Sequence, residues 1–152
     1  MRIMYDSVNP SQIPRNAQMV AGYGNGLYEW TAADWALFPS AVHISIDVNG
    51  SDPAGCGVLD VERYDASPQT AATWIKERVA TGHAATIYCS RSTMPAVQKA
   101  CSGLNYVIWV ADYTGQPHAI PGTVATQYEN HAVTGANYDI SSVYDNAWHP
   151  GT

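Results

Sequence analysis

Gly57-Val58-Leu59-Asp60-Val61-Glu62-Arg63 is the stretch on which the reading of the fold turns. Val58, Leu59 and Val61 are apolar and mostly of strand-forming type, so the segment reads as a short strand. Side chains at i and i+2 of a strand share a face. Asp60 and Glu62 therefore project together, with Val61 on the other side. Carboxylates that close repel, and the pKa of at least one should rise. A protonated carboxylic acid beside an ionised one is the arrangement that glycoside hydrolysis needs. An Asp-x-Glu alone is more often a strand end with two solvated acids, so the surrounding chain must decide.

Working outward, residues 2–7, 18–23 and 41–48 read as three earlier strands, the first carrying Asp6 at its end. Gly24-Asn25-Gly26 stops the second, and without a phosphate-loop Lys it is a turn. Thr31 reads as an N-cap with Asp34 at the capping-box position. Downstream, Ser67-Pro68 combines a hydroxyl cap with Pro at the first helical position. Ala71, Trp74, Ile75 and Val79 follow at helical spacing, and Gly82 ends the run. Residues 85–90 form a fifth strand. Met94-Pro95, after Ser92 or Thr93, opens another helix that ends near Gly103. Residues 106–111 are almost continuously apolar, as in a strand buried on both faces. Residues 124–128 and 137–141 complete the set.

Eight strands interleaved with helices predict an α/β fold, a trimmed or irregular (β/α)8 barrel of the TIM type, as one domain over residues 1–152. Such barrels typically take ~250 residues. Most strands must therefore be joined by loops, with full helices only after the fourth and fifth. An open parallel α/β sheet is the structural alternative.

In a parallel barrel the C-terminal strand ends converge on one mouth. Asp6 ends the first strand, Asp60 and Glu62 the fourth, and Asp139 the eighth. Strands one and eight are neighbours, which puts Asp6 beside Asp139 and four acids around one pit. Asp139 read alone is a turn acid. Tyr88, Trp109 and Tyr128 also fall near strand ends. With Gln127 they are candidate substrate-binding residues, although buried Tyr and Trp are ordinary core components.

Composition narrows the classes. The formal net charge of −6 argues against a general nucleic-acid-binding surface. No apolar run approaches the ~20 residues of a membrane span, and residues 1–4 lead straight into a strand rather than a signal peptide. Five Trp and ten Tyr against one Phe supply flat apolar bodies with polar handles, suited to sugar rings and to ordinary packing alike. Cys56, Cys89 and Cys101 show no zinc spacing. Buried free thiols are the default, and Cys56 with Cys101 is the preferred pair should one form. His43, inside a strand, reads as a satisfied structural residue. No Gly-x-Ser-x-Gly elbow supports a nucleophilic serine.

With these residues assembled, the chain resembles the glycoside hydrolase family 25 lysozymes (muramidases). Leu59-Asp60-Val61-Glu62 is similar to their Asp-x-Glu strand, and Tyr5-Asp6 to their first-strand Asp. Ile87-Tyr88-Cys89-Ser90 is similar to the fifth strand, and Ile108-Trp109-Val110-Ala111-Asp112-Tyr113 to the sixth. Ala125-Thr126-Gln127-Tyr128 resembles the seventh, and Tyr138-Asp139-Ile140 the eighth. The shorter relatives found in actinobacteria and their phages look most alike; the second and third strands match poorly.

The resemblance implies cleavage of the β-1,4 bond between N-acetylmuramic acid and N-acetylglucosamine in peptidoglycan. Glu62 would be the general acid. Asp60 would steer the 2-acetamido group or the charge developing at the anomeric carbon, and Asp6 and Asp139 would orient the site. No cofactor or metal is expected, and the partner would be peptidoglycan glycan strands, met by a monomer acting outside the cell or on release at lysis. A wall-glycan-binding domain that does not cut is the alternative, and a hydrolase holding a hard cation in the acid cluster is a third reading.

Overall fold

The computed structural model describes residues 1–130, 135 and 137–150. Eight strands close into a barrel in chain order. They are β1 (Arg2–Asp6), β2 (Met19–Tyr23), β3 (Val42–Asp47), β4 (Val58–Val61), β5 (Thr86–Ser90), β6 (Val107–Ala111), β7 (Ala125–Glu129) and β8 (Asp139–Val143). Among the described residues three α-helices accompany them: α1 (Ala32–Trp35), α2 (Pro68–Ala80) and α3 (Met94–Ala100). As expected, the two longer helices follow the fourth and fifth strands.

One strand departs from the parallel scheme. β1 to β7 run parallel, each to the next, but β8 is antiparallel to both β7 and β1. Asp139 therefore begins β8 rather than ending it. It still reaches the mouth, because the start of an antiparallel strand lies level with the ends of its parallel neighbours.

The helix ends follow from local chemistry. Thr31 and Asp34 form the reciprocal capping box, with the Asp34 carboxylate accepting from the Thr31 N–H at 2.8 Å. The Ser67 hydroxyl accepts from the Thr70 N–H at 3.1 Å, and Pro68 occupies the first turn of α2. The chain leaves α2 through Gly82 at φ +87°, a conformation that glycine adopts without a Cβ penalty.

Two apolar layers and a set of loops cover the barrel. Met4, Met19, Ile44, Val58, Tyr88 and Trp109 fill its interior. On the β4–β6 side, Leu59, Val61, Ile87 and Val110 point outward and pack against Trp74 and Ile75 of α2 and Val97 of α3. This double burial explains why these strands read as nearly unbroken apolar runs.

Where β1–β3 lack long helices, aromatic side chains cover them. Trp30 and Phe38 pack with Ile13 and Val20. A Cβ on Gly22 would lie 2.3 Å from the Trp30 ring, so only glycine lets the indole rest on the strand. That substitution of rings for helices is how the barrel closes in so short a chain.

The end opposite the mouth is shut by residues that follow β8. The Trp148 indole N–H donates to the Thr86 hydroxyl at 3.0 Å, and its ring lies 6.4 Å from that of Trp109. The Arg2 guanidinium donates to the carbonyls of Asp145 and Trp148 at 3.2 and 3.0 Å.

The cysteines Cys56, Cys89 and Cys101 are buried free thiols. His43 Nε2 lies 2.8 Å from the Phe38 carbonyl, the structural role expected of it. Among the described residues, no helix is long and apolar enough to cross a membrane.

Candidate functional site

Asp6 and Asp139 occupy paired positions in the β1–β8 ladder. Asp6 is buried, and Gln127 from β7 holds it, Nε2 donating to Oδ1 at 3.1 Å and to Oδ2 at 2.9 Å. The Gln127 carbonyl oxygen in turn accepts from the Tyr88 hydroxyl at 2.7 Å and the Tyr113 hydroxyl at 2.8 Å. Burial pushes the Asp6 carboxyl upward, and the adjacent Asp139 adds to the rise; the Gln127 amide pulls the other way, and Glu62 raises it again.

Asp60 and Glu62 occupy different environments, although the alternation of a strand predicts that they share one. β4 ends at Val61, so Asp60 lies within the strand and Glu62 just beyond it. Asp60 is 6 % exposed, and its Oδ1 is buried with no hydrogen-bond partner. Burial, followed by Glu62, Asp65 and Asp6, holds its carboxyl well above the ordinary range. Glu62 stands exposed at the rim. Partial desolvation against the wall raises its carboxyl, and Asp65 and Asp139 add to the effect.

Two clefts meet over these acids. One, of ≈ 490 Å³, is lined by Asp6, Ser7, Asn9, Asn137, Tyr138 and Asp139. The other, of ≈ 240 Å³, is lined by Asn25, Leu27, Tyr28, Asp60, Glu62 and Asp65. Val8 and Tyr23 belong to both, so the clefts join into one groove across the mouth. The Ser7 hydroxyl donates to the Asn137 carbonyl and ties the two walls of the larger cleft.

The candidate substrate-binding residues lie mainly beneath this groove. Trp109 is 1 % exposed and its indole N–H donates to the Ser141 hydroxyl at 3.0 Å. The Tyr88 ring packs against it at 4.6 Å. Gln127 is buried beside Asp6, and Tyr128, next to Gln127 on β7, is buried as well. Trp109, Tyr88 and Gln127 form a floor and a hydrogen-bonded support for the acids, whereas Tyr128, one residue from inward-facing Gln127, turns to the outer face of β7 toward Tyr5 and does not line the groove.

Other residues at the site were absent from the sequence reading. Tyr23 ends β2 and separates the two clefts; burial raises its phenol, with Asp6 and Asp60 adding to the rise. Asp65 faces Asp60 and Glu62, and desolvation raises it. Asp47 ends β3 fully buried. It accepts from Trp74 Nε1 at 2.9 Å, Asn25 Nδ2 at 2.9 Å and the N–H groups of Asn49, Gly50 and Asp52. Burial opposes ionisation there, but these donors outweigh it and leave the carboxyl below its usual value. The strand-end argument that identified Asp6 applies equally to Tyr23 and Asp47. Among the described residues, no group of three His, Cys, Asp or Glu side chains is placed to hold a metal ion.

Neither a protein-family model nor a curated protein matches the sequence. Solved structures match the fold. The muramidase from Acremonium alcalophilum superposes with a TM-score of 0.59 at 13 % identity, over 97 % of this chain and 95 % of that one. The Mycobacterium tuberculosis Tat-secreted protein Rv2525c, determined in complex with HEPES, gives 0.60 at 13 % identity, over 97 % and 98 %. A family GH25 lysozyme from Aspergillus fumigatus gives 0.53 at 18 % identity, over 93 % of each chain. The chain thus has the fold of a muramidase and a GH25 lysozyme along nearly its whole length.

Proposed function

We propose that the protein is a cell-wall glycoside hydrolase of the lysozyme type, cleaving the β-1,4 bond between N-acetylmuramic acid and N-acetylglucosamine in peptidoglycan. The observation that carries this reading is one groove that presents two raised carboxyls, buried Asp60 at its base and Glu62 at its rim. A carboxylic acid that keeps its proton can protonate a glycosidic oxygen, and a second beside it can hydrogen-bond the 2-acetamido group of an N-acetylated sugar. An open groove across the mouth suits an extended polymer.

Glu62, at the rim, protonates the leaving glycosidic oxygen; general acid catalysis of this kind contributes ~10²–10⁴-fold. Asp60 holds the acetamide beside the anomeric carbon. Asp65 and Asp139 keep negative charge near Glu62 and so favour its protonated form, and Asp6, opposite Asp139, helps to orient that acid. Trp109 and Tyr88 support the groove from below, with Gln127 fixing Asp6. The fold shared with a muramidase and a GH25 lysozyme is consistent with this assignment.

The test is release of new reducing ends and loss of turbidity from purified cell walls, compared between the native chain and Glu62→Gln. The native protein should clear the walls and the variant should not, with unchanged thermal unfolding. Clearing by Glu62→Gln would remove Glu62 from its role. Wall pull-down by the native protein without any reducing ends would leave glycan binding and discard catalysis.

A further inference from the structure

Just past β4 the chain makes a tight turn at the edge of the groove. The Asp65 N–H donates to the Glu62 carbonyl at 3.2 Å, and the Ala66 N–H to the Asp60 carbonyl at 3.2 Å. Glu62 and Asp65, the outer residues of the turn, both line the smaller cleft. Arg63 and Tyr64 are its central residues and stand exposed at its tip.

Tyr64 is an unusual residue for that position. Its φ of +79° falls at the third place of the turn, which glycine or asparagine normally fills. Among the described residues it is the one non-glycine with a positive φ. Its ring is 87 % exposed, so packing in the core does not offset the strain. The Arg63 guanidinium lies over the ring, 4.7 Å from its centroid. The turn thus presents a flat apolar ring and a planar fork of N–H donors side by side, next to Glu62.

Charge marks the same spot. Asp6, Asp60, Glu62, Asp65 and Asp139 line the groove, and any charge they carry is negative. Arg91, just past β5, is taken up by Asp112 at 2.6 Å. Among the described residues Arg63 has no carboxylate within ion-pair distance. An anion reaching the groove therefore meets acids along its length and a guanidinium at this turn.

An uncharged glycan has no use for that guanidinium, whereas a sugar bearing a carboxylate does. Muramic acid is such a sugar: its lactyl arm ends in a carboxyl, either free or amide-linked to a peptide with carboxylates of its own. We propose that Arg63 and Tyr64 form a rim subsite for the carboxylate-bearing substituent of muramic acid. Arg63 donates two N–H groups to the carboxylate, and Tyr64 packs against the sugar or its lactyl arm. Arg63 is then a specificity-determining residue, favouring muramic acid over a polymer of N-acetylglucosamine alone. The identity of the ligand rests on the proposed glycoside chemistry.

The test is an NMR binding titration with the disaccharide that the proposed reaction releases, N-acetylglucosaminyl-N-acetylmuramic acid, which is not itself cut. Three forms are compared: the free lactyl carboxylate, its neutral methylamide, and the lactyl group linked to an alanyl-glutamate dipeptide. The native chain should bind at least one anionic form about fivefold more tightly than the methylamide, the upper size of an exposed charge pair. The form preferred shows whether the carboxylate belongs to the sugar or to the peptide. Arg63→Gln should erase or reverse the preference, because the acids remain. Tyr64→Gly, which suits a positive φ, should weaken all three forms. Native binding that is absent, equal across the three forms or tightest for the methylamide overturns the inference, as does a preference that survives in Arg63→Gln; unchanged binding by Tyr64→Gly removes the ring from the subsite. Reducing-end release from cell walls, measured alongside, separates the two readings. A chain with the Arg63-dependent preference that never cuts keeps the subsite and loses the catalytic reading, and one that cuts without the preference does the reverse.

Discussion

Asp139 stands opposite Asp6 in an antiparallel ladder, the first residue of β8 against the last of β1. Burial, with that pairing added to it, shapes the pH dependence of folding. Asp6 and Asp60 both have carboxyls raised above their unfolded values. Between the unfolded and folded pKa the native state binds more protons than the unfolded state, so stability falls as pH rises through that window. Thermal unfolding followed from pH 5 to pH 8 should show a decreasing Tm, and Asp6→Asn should flatten the slope. A Tm that rises with pH across this range would contradict the burial argument.

Asp60→Asn removes a carboxyl that burial and neighbouring acids hold well above its ordinary range. We expect the variant to gain stability relative to the native chain as pH rises toward pH 7, because no buried carboxyl is left to ionise, together with a loss of wall cleavage on the order of 10²-fold. The gain should shrink toward pH 4, where the native carboxyl is protonated. Urea unfolding at the two pH values and a reducing-end assay check both parts.

Asp47→Ala should behave in the opposite sense. It strands the buried Trp74 donor, the Asn25 donor and three backbone N–H groups of a partly buried loop. A loss of about 3–5 kcal/mol is expected, as when one partner of a buried charged contact is removed. Because the folded pKa of Asp47 is lowered, its contribution is present above about pH 4, the usual carboxylate value, and is lost as pH falls through the folded value. The native and variant proteins should therefore converge in stability in strong acid.

Tyr64 has φ +79° and is 87 % exposed, with the Arg63 guanidinium 4.7 Å from its ring centroid. A left-handed conformation costs a non-glycine residue roughly 1–2 kcal/mol. Tyr64→Gly should recover about 1 kcal/mol, less the greater freedom of the unfolded chain. A destabilised variant in chemical denaturation would show that the ring makes a compensating contact.

Much of this molecule was legible in its residues. Thr31 with Asp34, and Ser67 with Pro68, announced their helices because capping is local chemistry. Residues 106–111 announced a doubly buried strand because helices cover one face and the barrel interior the other. The direction of β8 was hidden, since the two-residue alternation of a strand is the same read either way. Asp139 was placed at the correct mouth on an incorrect polarity. The contrast between Asp60 and Glu62 was hidden because it depends on where β4 stops. Asp47 went unnoticed because Asn25 and Trp74, which explain it, lie 22 and 27 positions away. The run Asp47-Val48-Asn49-Gly50-Ser51-Asp52, rich in turn-forming side chains, was the available signal.

The reversal of β8 has a practical corollary. Its last residue, Val143, pairs with Arg2 at the far side of the cylinder from the acids, and Trp148 seals that side. A bead, dye or fusion partner joined ahead of Arg2 would hang beneath the barrel and leave the groove unobstructed for a bulky, insoluble polymer.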